Sequence, residues 1–118
     1  MIKFVSLICR YWIVLSLGLV CIISFLSLSP LDRLPPGPGN DKLLHLLSYG
    51  LLMLPTALRR PKHWLFISIL FVAYSGAIEL IQPYVNRYGE WLDLAANTTG
   101  IVLAIILSQL YFLWLARR

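Results

Sequence analysis

The sequence predicts an all-α membrane protein, a bundle of four transmembrane helices. Three observations carry this expectation. Of the 118 residues, 59% are hydrophobic and only 13% are charged, which is more apolar surface than a small soluble domain can hide. The apolar residues gather in four runs, each near the roughly 17–25 residues that cross a bilayer. The charged residues collect beside and between those runs. A chain of this length has room for one domain, 1–118. The net charge of +5 does not point to nucleic acid, because the basic residues flank apolar runs and form no long basic tract.

The first run, 11–28, contains no charge. A cleaved signal peptide is the rival reading, with Lys3 and Arg10 as its basic region. The run exceeds the usual apolar region of about 7–15 residues and lacks an A-x-A-like cleavage site, so an uncleaved helix is expected. The next segment, 30–40 (PLDRLPPGPGN), is rich in Pro and Gly and predicts a turn or extended loop. Asn40 is a candidate N-cap for the second helix, 42–58, with Asp41 favourable against the helix dipole. That run holds His45 and a Pro55 expected to kink it, and reaches spanning length only if Asp41 and Lys42 join its first turn. A tight loop over 59–62 leads to the third helix, 64–82, which Pro83 closes. A polar loop over 84–91 leads to the fourth, 92–115. Trp64, Trp91 and Trp114 lie at the predicted span ends as interfacial anchors.

Charge placement orients the bundle. Lys3, Arg10, Arg59, Arg60, Lys62, Arg117 and Arg118 fall on one side, and Arg33, Lys42 and Arg87 on the other. Seven against three puts both termini in the cytoplasm of a multi-pass inner-membrane protein. All five acidic residues, Asp32, Asp41, Glu79, Glu90 and Asp93, then lie outside or in the outer membrane half. Cys9 and Cys21 are 12 residues apart, about 18 Å along one helix, and read as small apolar residues rather than a disulfide.

Function is to be sought in the polar residues that intrude on the apolar runs, since a charged group in lipid costs about 2.5–3.5 kcal/mol or more. Asp41, His45 and Tyr49 follow at i, i+4, i+8, along one face of the second helix, with Lys42 beside them. Glu79 and Gln82 share a face at the outer end of the third. Asp93 and Asn97 open the fourth, and Arg87 lies in the loop before it. If the three helices pack together, these groups converge. His45 and Glu79 are the candidate proton-transfer groups. Each also has a structural reading: Glu79 paired with Arg87 or Lys42, or His45 bonded to Glu79. No metal-ligand spacing, cofactor motif or nucleophile elbow is present. Ala96, Gly100, Ala104 and Ser108 recur every four residues on the fourth helix, a small-residue stripe for close helix approach, with Ala73, Gly76 and Ala77 as its expected partner on the third.

The arrangement resembles the VanZ-like family of small bacterial membrane proteins. The likeness rests on Asp41-Lys42-x-x-His45-x-x-x-Tyr49, on Glu79-x-x-Gln82, and on Arg87 followed by Asp93-x-x-x-Asn97-x-x-Gly100. It covers about residues 41–104, with Ala104 where the family often has a second glycine. The resemblance implies a protein of the cell envelope, and the family's founding member is linked to low-level resistance to the glycopeptide teicoplanin. Three functions are open at this stage. One is a non-enzymatic site that contacts an envelope lipid, a cell-wall precursor or a partner through Asp41, Lys42, His45, Tyr49, Glu79, Gln82, Arg87, Asp93 and Asn97. Another is an enzyme using His45 or Glu79 on an envelope lipid. The third is a proton- or ion-coupled transporter subunit, which at four helices would need a homo-oligomer or a membrane partner.

Overall fold

The computed structural model describes residues 2–28, 41–85 and 91–117, with positions 2, 41 and 85 described by their backbone alone. Arg87, the candidate cap Asn40, and the side chain of Asp41 lie outside the described residues. The described residues form five α-helices and a 3-10 turn, with no strand among them. Helix α1 is Ile2–Arg10, α2 Trp12–Leu28, α3 Asp41–Arg59, α4 Trp64–Ile81 and α5 Trp91–Ala116, and the 3-10 turn Gln82–Val85 follows α4.

Helix α1 was not foreseen, because Lys3 and Arg10 mark it as a polar flank of the first apolar run. It meets α2 at a bend of 73°. The bend falls where an amphipathic sequence gives way to a uniformly apolar one, so α1 can lie along a membrane surface while α2 enters. Helix α3 runs through Pro55 and buries the stripe Tyr49, Leu52, Met53 and Thr56, while Leu43, Leu47 and Leu51 face outward. It ends in a left-handed residue, Arg60 (φ 53°), whose N–H donates to the Thr56 carbonyl at 2.9 Å. Glycine is the usual residue at such a position. Helix α4 buries Ser68, Ser75 and Ile78, and the two hydroxyls donate back to Leu65 and Val72 carbonyls. Helix α5 buries a stripe of Asp93, Asn97, Gly100, Ala104 and Ser108, spaced for one helical face.

Helix α3 is the hub. It touches every other helix, α5 most extensively. Ile23, Tyr49, Leu52, Met53, Ala57, Ile101 and Ala104 form the apolar core between α2, α3 and α5. The closest approach is between Gly50 and Gly100. A methyl added at Gly100 would run into the Leu46 carbonyl oxygen and come within 3.0 Å of the Gly50 nitrogen. The small-residue stripe of α5 thus packs on α3, not on Ala73, Gly76 and Ala77 of α4. Ala73 and Ala77 are exposed, and nothing lies within 4 Å of a methyl built at Gly76.

Of the four expected spans, two or three stand out by length and composition among the described residues. Two segments are long and apolar enough to cross a membrane, Trp64–Tyr84 and Trp91–Ala116, and a third if the bent pair α1–α2 counts as one. Helix α3 has nearly the length at 19 residues, but Asp41, Lys42 and His45 in its first turns and Arg59 at its end make it too polar. Helix α2 alone has 17 residues, about 25 Å.

Candidate functional site

The polar site is built on the crossing of α3 and α5. The Gly50–Gly100 approach draws their backbones together, and one to two turns beyond it the two helices exchange polar contacts. Lys42 Nζ donates to Asp93 Oδ1. His45 Nδ1 lies 3.0 Å from Asn97 Oδ1, and the other ring nitrogen, Nε2, lies 3.7 Å from Asp93 Oδ2. With the amide oxygen accepting, the ring proton sits on Nδ1. Turning the Asn97 amide over would place its NH2 on Nδ1 and move the proton to Nε2, facing Asp93. Asp93 and Asn97 are buried at 4% and 1% exposure, and the Asp93 carboxylate is therefore held by its neighbours rather than by water.

A second group lies between α2, α3 and α4. Gln82 Nε2 donates to the Ser27 carbonyl at 3.0 Å, which ties the end of α4 to the end of α2. Tyr74 donates to the Val20 carbonyl at 3.1 Å and accepts from Ser24 Oγ at 2.6 Å. The Tyr49 ring is 6.1 Å from that of Tyr74, and Glu79 is within electrostatic reach of Tyr49. Tyr49 thus stands between the two groups. Among the described residues, Tyr49 Oη, Gln82 Oε1 and Asn97 Nδ2 are buried with no hydrogen-bond partner. Such atoms are costly unless something polar meets them.

A model of the VanZ/LLP1 family matches residues 7–113. The chain belongs to the VanZ/LLP1 family. No curated protein and no solved structure matches it. The family match takes in every candidate site residue and also α2, which the residue resemblance over 41–104 did not cover.

In this VanZ/LLP1 protein, Lys42, His45, Asp93 and Asn97 come together directly. Tyr49 lies one turn beyond His45 on α3, within electrostatic reach of Glu79, and Gln82 turns to α2. Lys42 meets Asp93 and His45 meets Asn97, where the sequence left Lys42, His45 and Arg87 open as partners of Glu79, and Arg87 lies outside the described residues. Of the packing residues, Gly100 and Ala104 are buried and Ala96 is half-buried. The Ser24–Tyr74 contact was missed, although a tyrosine inside an apolar run signals that its hydroxyl has a partner. Among the described residues, no group of three His, Cys, Asp or Glu is placed to hold a metal ion. A groove of about 600 Å³, lined by Ala73, Gly76, Ala77 and Leu94 with Glu79 and Trp91, runs beside the site on the outer face of α4 and α5.

Proposed function

We propose that this VanZ/LLP1 protein binds a ligand of the cell envelope, a lipid or a cell-wall precursor bearing phosphate or carboxylate, at the polar end of its bundle. The observation that supports this reading most directly is the buried set on α3 and α5, with Asn97 Nδ2 and Tyr49 Oη turned inward without partners. Lys42, and Arg87 from outside the described residues, would supply cations for an anionic group. Buried amide and hydroxyl groups give it orientation. The apolar groove beside Glu79 suits an acyl or polyprenyl chain. The charge asymmetry of the loops supports placing this end outside the inner membrane with both termini in the cytoplasm, and a bound cell-wall precursor would connect the protein to teicoplanin susceptibility.

Native mass spectrometry of the protein in nanodiscs, with polyprenyl-phosphate-linked and ordinary phospholipids in competition, tests the reading. Retention of the polyprenyl-linked lipid by wild type and its loss in Asn97→Leu and Arg87→Ala is the expected result. Equal retention by wild type and both variants would sink it. A second reading, acid–base catalysis on an envelope lipid, is favoured by the position of His45 between Asn97 and Asp93. It requires that lipid turnover vanish in His45→Gln and Glu79→Gln while both variants stay monodisperse, and unchanged turnover would remove it.

A further inference from the structure

The opposite end of the molecule carries a second polar recess that the cluster on α3 and α5 does not involve. The 73° bend between α1 and α2 opens a hollow of about 420 Å³ lined by Ser6, Cys9, Arg10, Trp12 and Arg59. Its two guanidinium groups come from two helices, and that of Arg10 also lies 5.5 Å over the Tyr11 ring, which leaves its edge open to hydrogen bonding. Arg10 is the last residue of α1 and Arg59 the last of α3, so each sits where a helix dipole favours a cation. The described carboxylates are elsewhere. Asp93 is bound to Lys42, in the first turn of α3, and Arg59 closes that helix about 25 Å away. Glu79 is in the last turn of α4, whose first residue, Trp64, follows the Arg59 loop.

The neighbouring arginine does not line the hollow. Arg60 is held in a left-handed conformation, and its guanidinium lies 4.7 Å over the Phe112 ring of α5. The turn therefore separates two adjacent arginines, one stacked on an aromatic ring and the other directed to the hollow. Ser6 and Trp12 add a hydroxyl and an indole N–H, both neutral donors. Two forked cations with neutral donors, and no described carboxylate among the lining residues, match the oxygens of a phosphate group. The hollow also sits at the junction of an amphipathic helix with an apolar one, the kind of junction that suits a membrane interface, where phospholipid headgroups lie.

We propose that the recess between α1, α2 and the end of α3 is a phosphate-binding site, occupied by the headgroup phosphate of an anionic phospholipid or by a soluble phosphate ester. The site is independent of the ligand proposed for the opposite end, and its failure would leave that reading untouched.

The test uses purified full-length protein in detergent, with Cys21→Ala so that Cys9 is the single thiol. Alkylation of Cys9 by iodoacetamide is followed with phosphatidylglycerol, with phosphatidylcholine, and with glycerol 3-phosphate. Protection by phosphatidylglycerol alone assigns the site to a lipid headgroup. Protection by glycerol 3-phosphate as well assigns it to phosphate esters in general. Protection by neither, or equally by phosphatidylcholine, overturns the proposal. In native mass spectrometry, Arg10→Gln and Arg59→Gln should each weaken phosphatidylglycerol retention about tenfold, the loss of one charge-assisted hydrogen-bonding group, while Lys62→Gln should not. Equal weakening by Lys62→Gln would show that net charge alone holds the lipid and would also overturn it. The alkylation assay needs no arginine variant, so it decides the matter even if those variants fold poorly.

Discussion

Asp93 and Lys42 form an asymmetric pair. The Asp93 side chain is 5% exposed and that of Lys42 37%. A lysine on a flexible stem can withdraw its ammonium to water, whereas the carboxylate is fixed in the α3–α5 crossing. Removing the lysine leaves a buried charge with His45 as its nearest cationic neighbour among the described residues, at 3.7 Å. Removing the carboxylate's charge lets the lysine move out. Lys42→Met is therefore expected to lower unfolding stability by about 2 kcal/mol, and Asp93→Asn by roughly half as much, read from unfolding in mixed micelles. If Asp93→Asn proved the more costly, Lys42 would be unable to reach water and the polar end would be more deeply enclosed than its exposure indicates. The membership of this cluster was legible in the sequence, because the i, i+4 spacing places Asp93 with Asn97 and His45 with Asp41. The pairing was not. Whether Lys42 meets Glu79 or Asp93 depends on which helix lies nearest α3, and helix spacing within one element carries no information about that.

At the scale of elements, glycine decides which helices meet. The stripe of small residues on α5 was visible at a period of four, but its partner was sought on α4, where Ala73, Gly76 and Ala77 offer a similar surface. Gly50 is a single glycine in a leucine-rich run and shows no such repeat, so its role emerges only from the close approach to Gly100. Three substitutions separate the contacts. Gly100→Ala places a methyl against the Leu46 carbonyl and should cost about 1–3 kcal/mol, and it should also weaken the Lys42–Asp93 and His45–Asn97 contacts that the same crossing positions. Gly50→Ala meets only ordinary contact, 3.4 Å from the Gly100 carbonyl oxygen, and should be tolerated far better. Gly76→Ala has open space around it and should stabilise α4 by about 0.5–1 kcal/mol, the usual gain of Ala over Gly within a helix. Unfolding midpoints in a common detergent rank the three. A loss of stability in Gly76→Ala would mean that this face of α4 is covered, as a second copy of the chain would cover it.

The whole molecule poses the question of how many times the chain crosses the membrane. The four apolar runs were legible from hydropathy, but hydropathy cannot say what shields a helix. Helix α3 is rendered too polar by Lys42, His45 and Arg59, yet it occupies the centre of the bundle with α2, α4 and α5 around it. At 19 residues it is about 28 Å long, close to the hydrocarbon thickness of about 30 Å. The charged ends can then sit at the two interfaces while its middle buries Tyr49, Leu52 and Met53 against protein and turns Leu47 and Leu51 outward. The polar contacts turn this into a test. Lys42, near the start of α3, is bound to Asp93, near the start of α5, so both lie at one end of the bundle with Trp91 and Tyr84. Lys62 lies between α3 and α4. In a background with Cys9 and Cys21 replaced, Tyr84→Cys should react with an impermeant thiol reagent from outside intact cells, and Lys62→Cys only in inverted vesicles. Opposite labelling of these two positions shows that α4 crosses, and because Lys42 is held on the side of Tyr84, it requires α3 to cross as well, polar ends included. Labelling of both from the same side would mean that α3 and α4 enter and leave by one face, and the orientation read from seven basic residues against three would fall with it.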